Sequence, residues 1–234
     1  LAAAVERLLP DFNARDLANT AWAFATADHL GEQLFVALGR AAMGLVGDLN
    51  AHNLAAAAWA FATADVQNEE LFEALGTAAR RLVTNFNAHD LANTAWAFAM
   101  AGCFNEPLLV ALGKAAHGLL GSFNAQDFAR TAWAFAKAGA QTGHSDAQLF
   151  AALAKASTGR HRDFSARELA NVAWAFATVG LTDAALFGSL ASALDEHPGT
   201  LDQEVQARLA WAFATAGCFD PALFSRLGKE TGWL

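Results

Sequence analysis

The chain has no tyrosine, two cysteines, four prolines and few charges, only 16% of its 234 residues. Each shortage excludes something. The sequence holds no Cys-x-x-Cys, no Gly-rich phosphate loop and no His-Glu-x-x-His, so the familiar redox, nucleotide and zinc-protease motifs are missing. No run of about 20 apolar residues occurs, which argues against a membrane span. A net charge of −8 is unfavourable for broad phosphate binding, because neutralising phosphates dominates affinity for nucleic acid. Scarce proline leaves helices uninterrupted, and abundant alanine lets them form and approach closely.

What is present is a repeat. Trp-Ala-Phe begins at Trp22, Trp59, Trp96, Trp133, Trp174 and Trp211, at intervals of 37, 37, 37, 41 and 37 residues. Periods of this size indicate stacked supersecondary units. Asn13 is a good N-cap and Asp16, three residues on, approximates a capping box, with Phe12 and Leu17 as the flanking staple. Asn87 with Asp90, Asn124 with Asp127, and Ser165 with Glu168 repeat the device. Leu17, Ala21 and Phe24 then form one apolar stripe. The first helix is expected to end near Ala27 and the second to start near Glu32, carrying Leu34, Phe35, Leu38, Ala42 and Leu45.

These elements predict an all-α fold, a right-handed α-solenoid of stacked helical hairpins. Six recognisable repeats start near residues 12, 49, 86, 123, 164 and 201, with partial helices at both ends. Residues 1–11 read as the end of a preceding repeat, and residues 1–234 as a single domain. The longer interval places an insertion at 141–144, between the two helices of its repeat. Gln206 stands where Leu17 stands in the first repeat. Neither end shows the polar-faced capping repeat that closes a solenoid, so the sequence is expected to be an internal piece of a longer protein. An intact native mass of 24.6 kDa would refute that.

Cys103 and Cys218 occupy equivalent turn positions three repeats apart. Helix layers about 8–10 Å thick put them beyond disulfide reach, and free thiols suit a reducing compartment. His52 and His89 are equivalent residues of adjacent repeats, too far apart to share one zinc. No nucleophile, base or metal cluster is assembled, so the chain is expected to be a binding protein without cofactor rather than an enzyme.

Candidate binding residues are those that vary while the frame stays constant. The second residue of the first helix is Arg15, His52, His89, Gln126, Arg167 and Glu204. Four residues on stand Asn19, Ala56, Asn93, Arg130, Asn171 and Arg208. Seven further on stand Thr26, Thr63, Met100, Lys137, Thr178 and Thr215. These offsets share one helical face. Asn and Arg can bond base edges, and Arg can hold phosphate; a solvated face with no ligand has the same pattern. Between Lys114 and Arg167 the chain carries seven Lys or Arg against three Asp, and Arg160 and Arg162 in a turn there are the best candidates for phosphate contacts. The Trp-Ala-Phe tripeptide itself reads as packing between repeats, with base stacking on Trp as the other possibility.

Leu17-Ala18-Asn19-Thr20-Ala21-Trp22-Ala23-Phe24-Ala25 and its copies resemble the Leu-Ala-Asn-x-x-Trp-Ala-x-Ala core of heptatricopeptide and octotricopeptide repeats, which accompany RAP domains and FAST-kinase-like proteins in mitochondria and chloroplasts. The 37-residue period is that of the heptatricopeptide form. The resemblance runs from Phe12 to about Lys229. It implies an α-solenoid that binds organellar RNA, single-stranded or ribosomal, within a ribosome or another ribonucleoprotein. It makes Asn19, Asn93 and Asn171 candidate base contacts. No RAP domain is visible in this sequence, and the chain is more acidic than the resemblance leads one to expect. The competing reading is a scaffold subunit that holds other proteins of a large organellar complex, as α-solenoids commonly do.

Overall fold

The computed structural model describes residues 2–66, 68–143, 145–157, 160, 163–197, 201–218 and 223–224. The described residues are helical, joined by short turns. The chain divides into two compact units, Leu1–Ser122 and Phe123–Leu234, and the division falls on a repeat boundary.

The first unit contains α1 (Ala2–Leu8), α2 (Ala14–Thr26), α3 (Glu32–Leu45), α4 (Ala51–Thr63), α5 (Glu69–Leu82), α6 (Ala88–Met100) and α7 (Glu106–Leu119). Three hairpins, α2–α3, α4–α5 and α6–α7, follow the helix expected from residues 1–11. Single 3₁₀ turns such as Val46–Asp48 and Val83–Asn85 carry the chain from one hairpin to the next. The second unit contains α8 (Ala125–Thr142), α9 (Ala147–Ser157), α10 (Ala166–Thr178), α11 (Ala184–Asp195) and α12 (Gln203–Thr215).

The expected capping boxes form at Asn13, Asn87, Asn124 and Ser165. In each the cap side chain accepts the N3 backbone N–H, and the N3 carboxylate accepts the cap's own N–H. The far ends of the first helices are also alike. Asp28, Asp65, Gly102, Gly180 and Gly217 have positive φ. The next N–H in each case donates to the carbonyl of the Trp-Ala-Phe phenylalanine, as His29 does to Phe24 and Cys103 to Phe98. This left-handed turn satisfies carbonyls that the helix end leaves open.

The 41-residue interval is accommodated differently from the expectation. Helix α8 runs more than a turn longer than the other first helices, to Thr142, and Gly143 closes it with φ of 74°, while His144 lies outside the described residues. Gly139, which matches the turn glycine Gly102, is thereby a buried helical residue. Thr142 bonds back to the Ala138 carbonyl at 2.9 Å, and extending a helix keeps each added backbone group hydrogen-bonded.

In each unit the core lies between successive hairpins. The first helices pack on one another most extensively, α2 on α4 and α4 on α6 in the first unit, α8 on α10 and α10 on α12 in the second. Alanine at Ala55, Ala58, Ala92 and Ala95, all at most 1% exposed, permits that approach. Within each unit phenylalanine locks a second helix to the next first helix. Phe35 meets Phe61, and Phe72 meets Phe98, edge to face at 6.1 and 5.4 Å. Phe150 with Phe176 and Phe187 with Phe213 do the same in the second unit. Such pairs contribute roughly 0.5–1.5 kcal/mol beyond their buried area. Gln206, the misfit at a leucine position, is 4% exposed and donates to the Leu201 carbonyl at 2.9 Å, so its amide is not left unsatisfied.

Candidate nucleic-acid interface

The Trp-Ala-Phe signature divides its labour. Phenylalanine is the buried half in every copy but the first, where Phe24 is half-buried. Tryptophan is not core: Trp22 is 48% and Trp211 46% exposed, and Trp59, Trp96, Trp133 and Trp174 are half-buried. The tripeptide thus packs between repeats in two ways, through phenylalanine in the core and through partly exposed indoles set against one another. Two residues along a helix turn through about 200°, so Trp and Phe must face opposite ways.

The same arithmetic adds tryptophan to the polar stripe. Positions 15, 19, 22 and 26 stand at i, i+4, i+7 and i+11, one face of one helix. This spacing was present in the sequence and was masked by reading Trp and Phe together. Along the stripe the indoles form ladders. In the first unit Trp59 and Trp96 have ring centroids 6.4 Å apart at 32°. In the second, Trp133, Trp174 and Trp211 follow at 6.1 and 6.3 Å, tilted by 36° and 37°. Lys137, one turn beyond Trp133, holds its Nζ 4.9 Å from that ring's centroid, a cation–π arrangement.

The polar members of the stripe differ in availability. In the first unit Arg15, Asn19, His52 and His89 are exposed, whereas Asn93 is 9% exposed. His52 Nδ1 lies 3.1 Å from Oδ1 of Asp90, the capping-box carboxylate of the next repeat. In the second unit Gln126 is exposed and Arg130 half-buried. Arg167 repeats the inter-repeat reach of His52, donating to the N-cap carboxylate of Asp202 at 2.6 Å. Arg208 donates to Asn171 of the preceding repeat and to Glu204 one turn back. Several candidate residues thus join one repeat to the next. Threonine follows tryptophan by one turn at Thr63 and Thr178, and both hydroxyls are buried with no hydrogen-bond partner.

Arg130 and Lys137 are the cations of α8. Loss of solvation lowers the pKa of both, and at Arg130 the carboxylates of Asp127 and Glu168 act in the opposite direction. Asp202 is lowered, first by the Val205 N–H it accepts and then by Arg167.

Arg160 is not on the stripe. It follows α9, where Nη2 donates to the Phe123 carbonyl at 2.6 Å and Nε lies 3.9 Å from Asp163. His197, its equivalent one repeat on, reaches the Phe164 carbonyl at 2.8 Å in the same way. Arg162 lies outside the described residues. Both cysteines are free thiols, and burial raises the Cys103 pKa, with Glu69 adding to it. Among the described residues no group of three or more His, Cys, Asp or Glu could hold a metal ion, and no helix is long and apolar enough to cross a membrane.

A face that interleaves half-exposed indoles with Asn, Gln, Arg and Lys suits unpaired nucleotides, whose bases stack on aromatic rings in single strands. Residues 5–214 match the RNA-editing substrate-binding complex 6 protein family. The chain belongs to that family. The match spans all six Trp-Ala-Phe copies. The family is named for a complex that binds the substrates of RNA editing. A search of curated proteins finds no match to the chain.

Proposed function

We propose that this chain is a non-catalytic, RNA-binding solenoid of an RNA-editing substrate-binding assembly, and that it holds single-stranded RNA along the first-helix stripe. The observation that carries the reading is the tryptophan ladder, with Lys137 set against Trp133. Exposing indoles costs burial energy of about 25 cal/mol per Å², and stacked bases would return it. Arg130 and Lys137 serve phosphates. Asn19, Gln126 and Asn171 serve base edges, Asn171 exchanging its Arg208 partner for the ligand. Phosphate contacts position and base contacts specify.

The likeness to heptatricopeptide-type repeats supports the same ligand class and an organellar setting. We assign the mitochondrion, and expect organelle fractionation to recover the protein there and not in chloroplasts or cytosol.

The test is photocrosslinking of the purified chain to single-stranded RNA containing 4-thiouridine, with the attached peptides mapped. Crosslinks at Trp133 and Trp174 are expected. A scaffold role has one specific observation in its favour: Arg167 and Arg208 are held by Asp202 and Glu204, which leaves less positive charge on the stripe for phosphate. No crosslinks, together with stable binding to other subunits of the complex, would replace the RNA reading with that one.

A further inference from the structure

A second site lies on the second helices, away from the tryptophan stripe, and does not depend on the RNA reading. In the first repeat a groove of about 470 Å³ runs between the inter-repeat turn at Pro10 and Phe12 and the flank of α3 formed by Ala37, Arg40, Ala41 and Gly44. In the third repeat an equivalent groove of about 660 Å³ runs between Phe86 and the flank of α7 formed by Pro107, Val110, Ala111, Lys114 and Gly118. Apart from Pro107 and Val110, which line the third-repeat groove alone, the residues correspond at a separation of 74. Both grooves are in the first unit, two hairpin layers and thus roughly 20 Å apart.

Three positions alternate together along the three repeats of the first unit. The grooved repeats carry glycine at Gly44 and Gly118, a cation at Arg40 and Lys114, and an exposed valine at Val36 (47%) and Val110 (49%). The repeat between them carries Arg81, Thr77 and Glu73 at those places. There the Arg81 side chain crosses to the turn and donates to the Gly47 carbonyl at 2.9 Å, occupying the ground that is open in its neighbours. A Cβ at Gly44 or Gly118 would meet nothing within 4 Å. The glycines are therefore not required by packing, although glycine late in a helix costs up to about 1 kcal/mol against other residues.

Each groove is lined mainly by apolar residues and carries one positive side chain, with Thr84 the one other polar side chain in the second, and no Asp or Glu lines either, in a chain whose net charge is −8. We propose that the two grooves are paired docking sites for an amphipathic peptide segment of a partner protein, its apolar side chains seated beside Val36 and Val110 and its carboxylates on Arg40 and Lys114. A nucleic acid is disfavoured here, because one cation per groove and aliphatic walls offer neither a phosphate track nor a stacking face.

The protein supplies its own control, since its second repeat is already closed. The test measures fluorescence anisotropy of a labelled 24-residue helical peptide with leucine on one face and glutamate beside it. The same peptide with lysine for glutamate, and a single-stranded RNA, serve as comparison probes. The acidic peptide is expected to bind. Gly44→Arg with Gly118→Arg should weaken it at least tenfold with an unchanged circular dichroism spectrum. Lys114→Glu should weaken it and improve the lysine peptide. Arg81→Gly, which opens the middle repeat, should tighten it, so the idea does not rest on the double variant folding. No binding of the acidic peptide, equal binding of the lysine peptide, or indifference to both glycine substitutions and Arg81→Gly would overturn the proposal. So would RNA losing affinity in the arginine variants, whereas RNA binding that merely fails throughout would strike the stripe reading alone.

Discussion

Lys137 and Trp133 carry the clearest residue-level prediction. Base–aromatic stacking contributes roughly 1–3 kcal/mol per base, so Trp133→Ala should weaken single-stranded RNA binding by about five- to 150-fold, with little preference among sequences. Lys137→Ala should weaken all sequences alike and reduce the slope of log K against log salt by about 0.7, the value for one phosphate on a single strand. A titration series at several salt concentrations reads both. If Lys137→Ala leaves the slope unchanged, the ammonium serves only the indole beside it. Asp202 gives a prediction in pH. Its carboxylate is held below its ordinary range by the Val205 N–H and by Arg167. A lowered carboxylate stabilises the fold above its unfolded pKa and loses that contribution as pH falls through the folded value. Urea midpoints of the wild type and Asp202→Asn should therefore differ most near neutrality and converge in acid. Asparagine keeps a good N-cap, so a gap that persists in acid would mean the charge is not what matters there.

At the scale of the helix and its ends, the six described left-handed helix ends set up an internal comparison. Glycine fills four of them, and Asp28 and Asp65 fill two. A side chain in that region costs up to about 1–2 kcal/mol, less for Asp than for most. Asp65→Gly should thus stabilise the first unit by roughly 0.5–1 kcal/mol net of the entropy glycine adds to the unfolded chain, raising the urea midpoint. A lowered midpoint would show that Asp65 makes a stabilising interaction larger than the strain. The capping boxes were legible at this scale because they are local. A cap residue and its N3 partner sit three positions apart and need no other repeat. The fate of the 141–144 insertion was not legible. Whether added residues loop out or extend a helix depends on what the longer helix meets, and Gly139 is buried only because the surrounding hairpins cover it.

For the whole molecule the question is how an acidic protein would hold RNA in the proposed way. Positive charge on the stripe is concentrated in α8, while Arg167 and Arg208 spend theirs between repeats. Salt dependence should accordingly be shallow. Two or three phosphate contacts give a slope of about −1.4 to −2.1, and a measured slope steeper than about −4 would require a basic surface other than this stripe. Affinity would then rest chiefly on stacking, which fits a chain rich in tryptophan and poor in lysine.

The sequence by itself determined the hairpin, its period and its caps, because each is written within some forty residues and repeated six times. It also contained the i, i+4, i+7, i+11 spacing that puts Trp133 beside Arg130 and Lys137. Only the tertiary structure decided which half of Trp-Ala-Phe is core, because burial depends on which side of a helix the next hairpin covers. It likewise decided that His52 reaches Asp90, Arg167 reaches Asp202 and Arg160 reaches the Phe123 carbonyl. Those partners are 35 to 38 residues away, and only stacking one repeat on the next brings them within hydrogen-bonding distance.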